Sequence, residues 1–162
     1  MVEMAKENAQ NVLRMDREKI KREERRTIGA VHEIEELLGM EGLNRMEAFD
    51  ISNISGFQTV ASMVVFERGK ARRRDYRKFR LRTIEGPDDY ASMEEVLTRR
   101  FLHGKKELEE LKEQGKDTTL GSFTKFPDIL MMDGGKGQVN VALRVLDHLG
   151  LDIPVCLSLI HI

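Results

Sequence analysis

Residues 128–133, DILMMD, form an apolar run that does not alternate with polar positions. A strand with one wetted face alternates with a period of two, whereas a strand covered on both faces reads as a continuous apolar run. Gly134 and Gly135 follow at once, and then KGQVNVALRVLDHLG, which places Val139, Ala142, Leu143 and Leu146 on one helical face with Gly150 as its stop. A buried strand, a tight glycine turn and an amphipathic helix make up the repeating unit of a parallel sheet flanked by helices, so the chain belongs to the α/β class.

The preceding residues fill in the rest of that architecture. Residues 3–38 are rich in Glu, Lys, Arg, Ala and Met with Gly29 as their one glycine, which favours helix, and Ile28, Val31, Ile34, Leu37 and Leu38 keep a helical spacing up to a C-cap at Gly39. NRMEAFDIS reads as a strand ending at Asp50, NISGFQ as a turn, TVASMVVFE as a second strand, RGKA as a hairpin turn, and RDYRKFRLRTI as a third strand with Tyr76, Phe79 or Leu81 toward the core. Asp88 or Asp89 starts a helix carrying Tyr90, Met93, Val96, Leu97 and Phe101 on one face, and DIPVCLSL opens a last strand. Helix, three strands, helix, strand, helix, strand is the order of a ribonuclease H-like mixed sheet: a three-stranded meander plus parallel strands, flanked by helices and preceded by a charged helical arm. In that topology the strand ending at Asp133 returns beside the first strand and parallel to it.

At 162 residues the chain supports one domain with a real core. Its single cysteine excludes a disulfide framework and a cysteine-based zinc site, and no apolar run is long enough to span a bilayer. Both point to a soluble, cytoplasmic protein. The net charge of −1 conceals a local imbalance, because in RGKARRRDYRKFRLR nine of fifteen positions are Lys or Arg. Arg72, Arg73, Arg74, Arg77, Lys78 and Arg80 form a stripe suited to a phosphate backbone, or a solvated edge strand whose charges discourage edge pairing. Arg99 and Arg100 either extend that surface or pair with Glu94 or Glu95 on their own helix.

Asp133, at the end of the buried strand, admits three explanations. A phosphate loop fails on spacing, since Lys136 is followed by Gly137 and Gln138 rather than a hydroxyl, and Asn140 stands where the third glycine of a dinucleotide fingerprint belongs. A helix cap is compatible with the position, although two glycines intervene. A metal site requires a second carboxylate, and Asp50 supplies one at the end of the neighbouring strand. Two such carboxylates repel unless a hard cation such as Mg2+ or Mn2+ lies between them, and a pair of ions about 3.5–4 Å apart serves phosphodiester hydrolysis. Asn53, Lys136 and Gln138 project from the same edge as groups that position the site or a phosphate.

EAFDISNISG joined to PDILMMDGGKGQV, with RKFRLRT and DDYASMEEVLTRR between them, resembles the carboxyl-terminal endonuclease domain of the UvrC family of bacterial nucleotide excision repair. The resemblance covers about residues 45–156, after a helical arm or linker at 1–40. It implies a ribonuclease H-like, divalent-metal-dependent endodeoxyribonuclease that makes the incision 5′ to a lesion in double-stranded DNA, with UvrB as partner and UvrA acting earlier. Asp50 and Asp133 fall on the family's two metal-binding, catalytic aspartates. The family's third catalytic residue, a histidine, is expected beyond the end of this chain. Residues 157–162 depart from the family pattern and are expected to be a non-native tail, so His161 is not assigned that role. The alternative is a ribonuclease H-like scaffold that binds DNA or a partner without cutting.

Overall fold

The computed structural model describes residues 1–54, 58–81 and 88–158. By their contacts the residues form two units, one of 1–43 with 68–70 and the other of 44–67 with 71–162. The first unit holds helix α1 (Val2–Glu24), a five-residue π-helical turn at Arg25–Gly29, and helix α2 (Ala30–Leu38). Gly39 closes α2 in the left-handed conformation, at φ 62°. Of the expected apolar stripe only Val31 is buried, while Ile28, Leu37 and Leu38 are exposed.

The second unit contains the sheet. Strands β1 (Arg45–Ile54) and β2 (Gln58–Glu67) pair antiparallel over ten residues, from Arg45 opposite Glu67 to Ile54 opposite Gln58. After the two-residue β3 (Lys70–Ala71) and a 3-10 turn at Arg73–Asp75, β4 (Arg77–Arg80) pairs with β2. The third strand is therefore shorter than the sequence suggests, because the 3-10 turn takes up its first two residues; residues 82–84 of that reading lie outside the described residues. Helix α3 (Asp89–Glu113) leads to β5 (Ile129–Asp133), α4 (Lys136–His148) and β6 (Val155–Ser158). Strand β5 lies parallel to β1 on one side and to β6 on the other, giving the order β3-β2-β1-β5-β6 with β4 also on β2. The fourth long segment thus returns beside the first, as the ribonuclease H-like order requires.

Side chains on alternate residues face opposite sides of the sheet. Phe49, Ala61, Met63, Val65, Leu130 and Met132 point to the side covered by α3 and α4, where they meet Met93, Val96, Leu97, Phe101, Val141, Ala142, Val145 and Leu146. Two details differ from the expected helical faces. Tyr90 is 55% exposed, and in α4 the buried pair Val141 and Val145 replaces Leu143, which is 48% exposed. The change in α4 places its stripe where it meets α3 as well as the sheet.

Charged groups inside this core are paired. Glu47 and Arg100 are fully buried, and the Arg100 guanidinium donates to both Glu47 oxygens at 3.0 and 2.8 Å and to the carbonyls of Phe123 and Lys125 at 2.8 Å each. Its carbon lies 5.1 to 5.7 Å from the ring centres of Phe101, Phe123 and Phe126. Arg100 is therefore an interior brace and no part of a DNA-binding surface, while Arg99 pairs with Glu95 one turn away at 3.3 Å. Arg45 extends the network by donating to Glu47, Glu67 and Asp75. Partial burial of Asp75 raises its carboxyl pKa, but the hydrogen bond and charge of Arg45, with Arg72 and Lys125, outweigh that and hold it below the usual aspartate value.

Removing one partner of a buried ion pair leaves the other uncompensated, which costs about 3–5 kcal/mol. Urea denaturation of Glu47→Ala should show a loss of that size, and Glu47→Leu with Arg100→Met should cost less than the sum of the single changes. A single variant within about 1 kcal/mol of wild type would contradict the brace. Asp75 gives a pH prediction. Because its folded pKa is lowered, its stabilisation is present above the ordinary aspartate value of about 3.9 and disappears as pH falls through the folded value. Stability measured from pH 7 to pH 2 should therefore fall less steeply in acid for Asp75→Asn than for wild type, and parallel curves would contradict the assignment.

Candidate active site

Phe49 on β1 stands beside Met132 on β5, the last pair of the parallel ladder. One residue further along each strand are Asp50 and Asp133, side by side on strands about 4.8 Å apart and on the face turned away from α3 and α4. Asp50 lies opposite Ser62 of β2, and Asp133 lies beside Ser158 of β6. Both aspartates are half-buried. Asp50 does not end its strand, as the sequence suggests. Strand β1 runs on to Ile54 because the hairpin with β2 continues past the point where β5 turns away. That turn is made by Gly134, whose φ of 134° is strained for any residue with a Cβ. The sequence explanation of Asp133 as a helix cap is not what forms: Gly135 occupies the N-cap of α4 and makes no side-chain cap bond.

Two adjacent carboxylates form a compact oxygen donor set of the type hard divalent cations use, and a cation relieves their mutual repulsion. Among the described residues no group of three or more His, Cys, Asp or Glu side chains is arranged to hold a metal ion. His32 faces Glu35 at 3.4 Å, His103 stacks on Phe123 at 4.6 Å between ring centres, and His148 sits 3.0 Å from the Arg144 carbonyl. Burial raises the Cys156 thiol, which disfavours the thiolate a soft metal would need.

Beyond the aspartates, Asn53, Gly135 and Gln138 line one cavity of about 570 Å³ together with Asp88, Asp89 and Tyr90. Asn53 accepts from the Thr59 hydroxyl at 2.8 Å, and the Gln138 side chain lies under Gly134, where a Cβ would come within 3.1 Å of it. Lys136 is the exposed first residue of α4 and is not among the residues lining the cavity. Asp88 caps α3 by accepting from the Ala91 N–H at 3.0 Å. Helical spacing alone turns Tyr90 into the core. Its ring instead crosses the start of α4, so close that a Cβ on Gly137 would clash with it. The available signal is its place in the first turn, two residues after the Asp88 cap.

The basic stripe divides into two groups. Arg72 pairs with Glu67 at 3.5 Å, and Arg77 donates to the Arg74 and Tyr76 carbonyls at 2.8 Å each while lying over the Phe123 ring. These two hold the segment in place. Arg73, Arg74, Lys78 and Arg80 are exposed. Lys78 and Arg80 stand opposite Ser62 and Val60 of β2, on the same face as the aspartates.

Residues 35–160 match the family described as the UvrC RNAse H endonuclease domain. The UvrABC system protein C of Lachnospira eligens is 59% identical over 156 residues, which are 96% of this chain and 24% of that protein. The protein of that name from Clostridium beijerinckii is 50% identical over 157 residues, 96% of this chain and 25% of its own length. The chain therefore spans about a quarter of the curated relatives it matches. Human ENDOV superposes with a TM-score of 0.40 at 16% identity, over 75% of this chain and 49% of its own, a likeness too loose to bear on the site. No helix among the described residues is long and apolar enough to cross a membrane. With the family matched over most of its length, this chain belongs to the UvrC RNase H endonuclease domain family.

Proposed function

We propose that this domain hydrolyses DNA phosphodiesters with the help of Mg2+ or Mn2+, making the incision 5′ to a lesion in double-stranded DNA once UvrA and UvrB have acted, with UvrB as its partner. The observation that carries the reading is the placement of Asp50 and Asp133 at neighbouring positions on adjacent parallel strands of a sheet from an endonuclease family. The nuclease domain is residues 45–156, and residues 1–40 are a helical arm leading into it.

Asp50 and Asp133 would hold the cation, which when bound supplies Lewis acidity to a water and to the phosphate. The chain's own residues do the rest. Asn53 and Gln138 offer amide groups to orient a strand end at the cavity rim, and Lys136 presents a charge where α4 begins. Arg73, Arg74 and Arg80 bind backbone phosphates, which sets register on a duplex without reading its sequence. Arg72 and Arg77 contribute by keeping that segment in shape.

In the full-length protein carrying this domain, Asp50→Asn or Asp133→Asn should reduce 5′ incision about a hundredfold or more while thermal melting stays unchanged, since each swap removes a ligand charge at constant size. Wild-type cutting by either variant would remove the catalytic assignment and leave a DNA-binding module. Replacing Arg73, Arg74 and Arg80 with Ala should weaken binding uniformly across sequences. The salt slope should fall by roughly 0.9 for each duplex phosphate that the variant no longer neutralises, or about 0.7 on single strands. Arg72→Ala should instead lower the melting temperature, and an unchanged salt slope in the triple variant would return the stripe to a solvated edge.

A further inference from the structure

Asp50 pairs with Ser62, and Ser62 pairs with Lys78. Lys78, Ser62 and Asp50 therefore occupy one row across three strands, on a single face, and the parallel step from β1 to β5 extends the row to Asp133. Lys78, Ser62 and Asp50 also line a common cavity of about 370 Å³. Two strand spacings separate the Lys78 and Asp50 backbones by roughly 10 Å. An extended lysine covers roughly 6 Å of that, on a flexible four-carbon stem that ends in a compact charge. The residue between them is a serine, short enough to leave the lane open. Lys78 is exposed and makes no hydrogen bond or ion pair among the described residues, whereas its neighbours Arg72 and Arg77 are committed to Glu67 and to backbone carbonyls. Arg80, on the same face, stands level with Ser52 through Val60, two residues further along β1, and so lies outside the row.

A phosphodiester brought to two carboxylates gathers negative charge from both sides, and more develops on its oxygens as the bond to the leaving group breaks. A cation facing the phosphate from the other end of the row offsets that charge. We propose that Lys78 touches a non-bridging oxygen of the scissile phosphate, acting on the reaction itself rather than as one more backbone anchor. The inference rests on the nuclease reading of Asp50 and Asp133.

The test compares Lys78→Ala, Lys78→Arg, Arg80→Ala and Asp50→Asn in the full-length protein on a duplex with one bulky adduct, with UvrA and UvrB supplied. Single-turnover cutting at saturating protein is measured beside equilibrium DNA binding at several salt concentrations, and melting temperatures confirm that each variant folds. Lys78→Ala should lose about tenfold or more in saturated rate with less than about a threefold change in affinity, and Lys78→Arg should recover most of the rate. Arg80→Ala should lower affinity and salt slope more than Lys78→Ala does. A Lys78→Ala protein that cuts at the wild-type saturated rate and loses only affinity, beside an inactive Asp50→Asn, overturns this inference alone. An Asp50→Asn protein that cuts normally overturns the nuclease reading with it.

Discussion

The Asp128 carboxylate fixes where β5 begins beside β1. It accepts the backbone N–H groups of Asn44 and Arg45 at 2.9 and 2.8 Å, while the Asp128 N–H donates to the Arg45 carbonyl at 2.8 Å. This clamp joins segments more than eighty residues apart at the first rung of the parallel ladder. Side chains alternate with a period of two, so a slip of one residue would turn every β5 side chain to the other face and carry Asp133 away from Asp50. The pairing of the two aspartates, the row through Ser62 to Lys78, and the edge at which Asn53 and Gln138 meet all depend on that register.

The second constraint is the buried Glu47, two residues before Phe49 on the face toward α3. Its carboxylate is shared by Arg100 from α3 and Arg45 from its own strand. Arg100 also takes the carbonyls of Phe123 and Lys125, so one guanidinium ties the long helix to the sheet and to the loop that leads into β5. Arg45 passes the same network to Asp75, beside the exposed Arg73 and Arg74. The interior ion network thus sets the position of the basic segment as well as the angle of α3, whose first turn carries Tyr90 and the Asp88 cap to the rim of the site.

Much of this was legible from the residues. The non-alternating ILMMD announced a strand buried on both faces, the GG turn announced the sharp departure after Asp133, and the return of that strand beside the first follows from the element order. The matching of Asp50 with Asp133 was readable because both close apolar stretches. What escaped was set by tertiary pairing. Asp50 lies inside β1 because β2 keeps pairing beyond it, and nothing local in DISNI marks that continuation. Glu47 in RMEAF was a visible signal, a carboxylate between apolar residues in a run that must be buried, but its partner in LTRRF looks like any exposed helical arginine. In the basic stripe, composition gave the charges without showing that Arg72 and Arg77 are committed to structure, since that depends on Glu67, Phe123 and a 3-10 turn.

The central claim is that Asp50 and Asp133 form one cation site, and paramagnetic Mn2+ tests it without reference to cutting. In amide-resolved NMR spectra of this chain, substoichiometric Mn2+ should broaden the signals of Asp50, Ile51, Asp133 and Gly134 first, and Asp50→Asn should weaken the broadening at Asp133 and Gly134 as well as at its own position. Broadening that begins at the acidic stretch Glu107–Glu113 of α3, or that persists around Asp133 when Asp50 is neutralised, would contradict a site shared by the two strands.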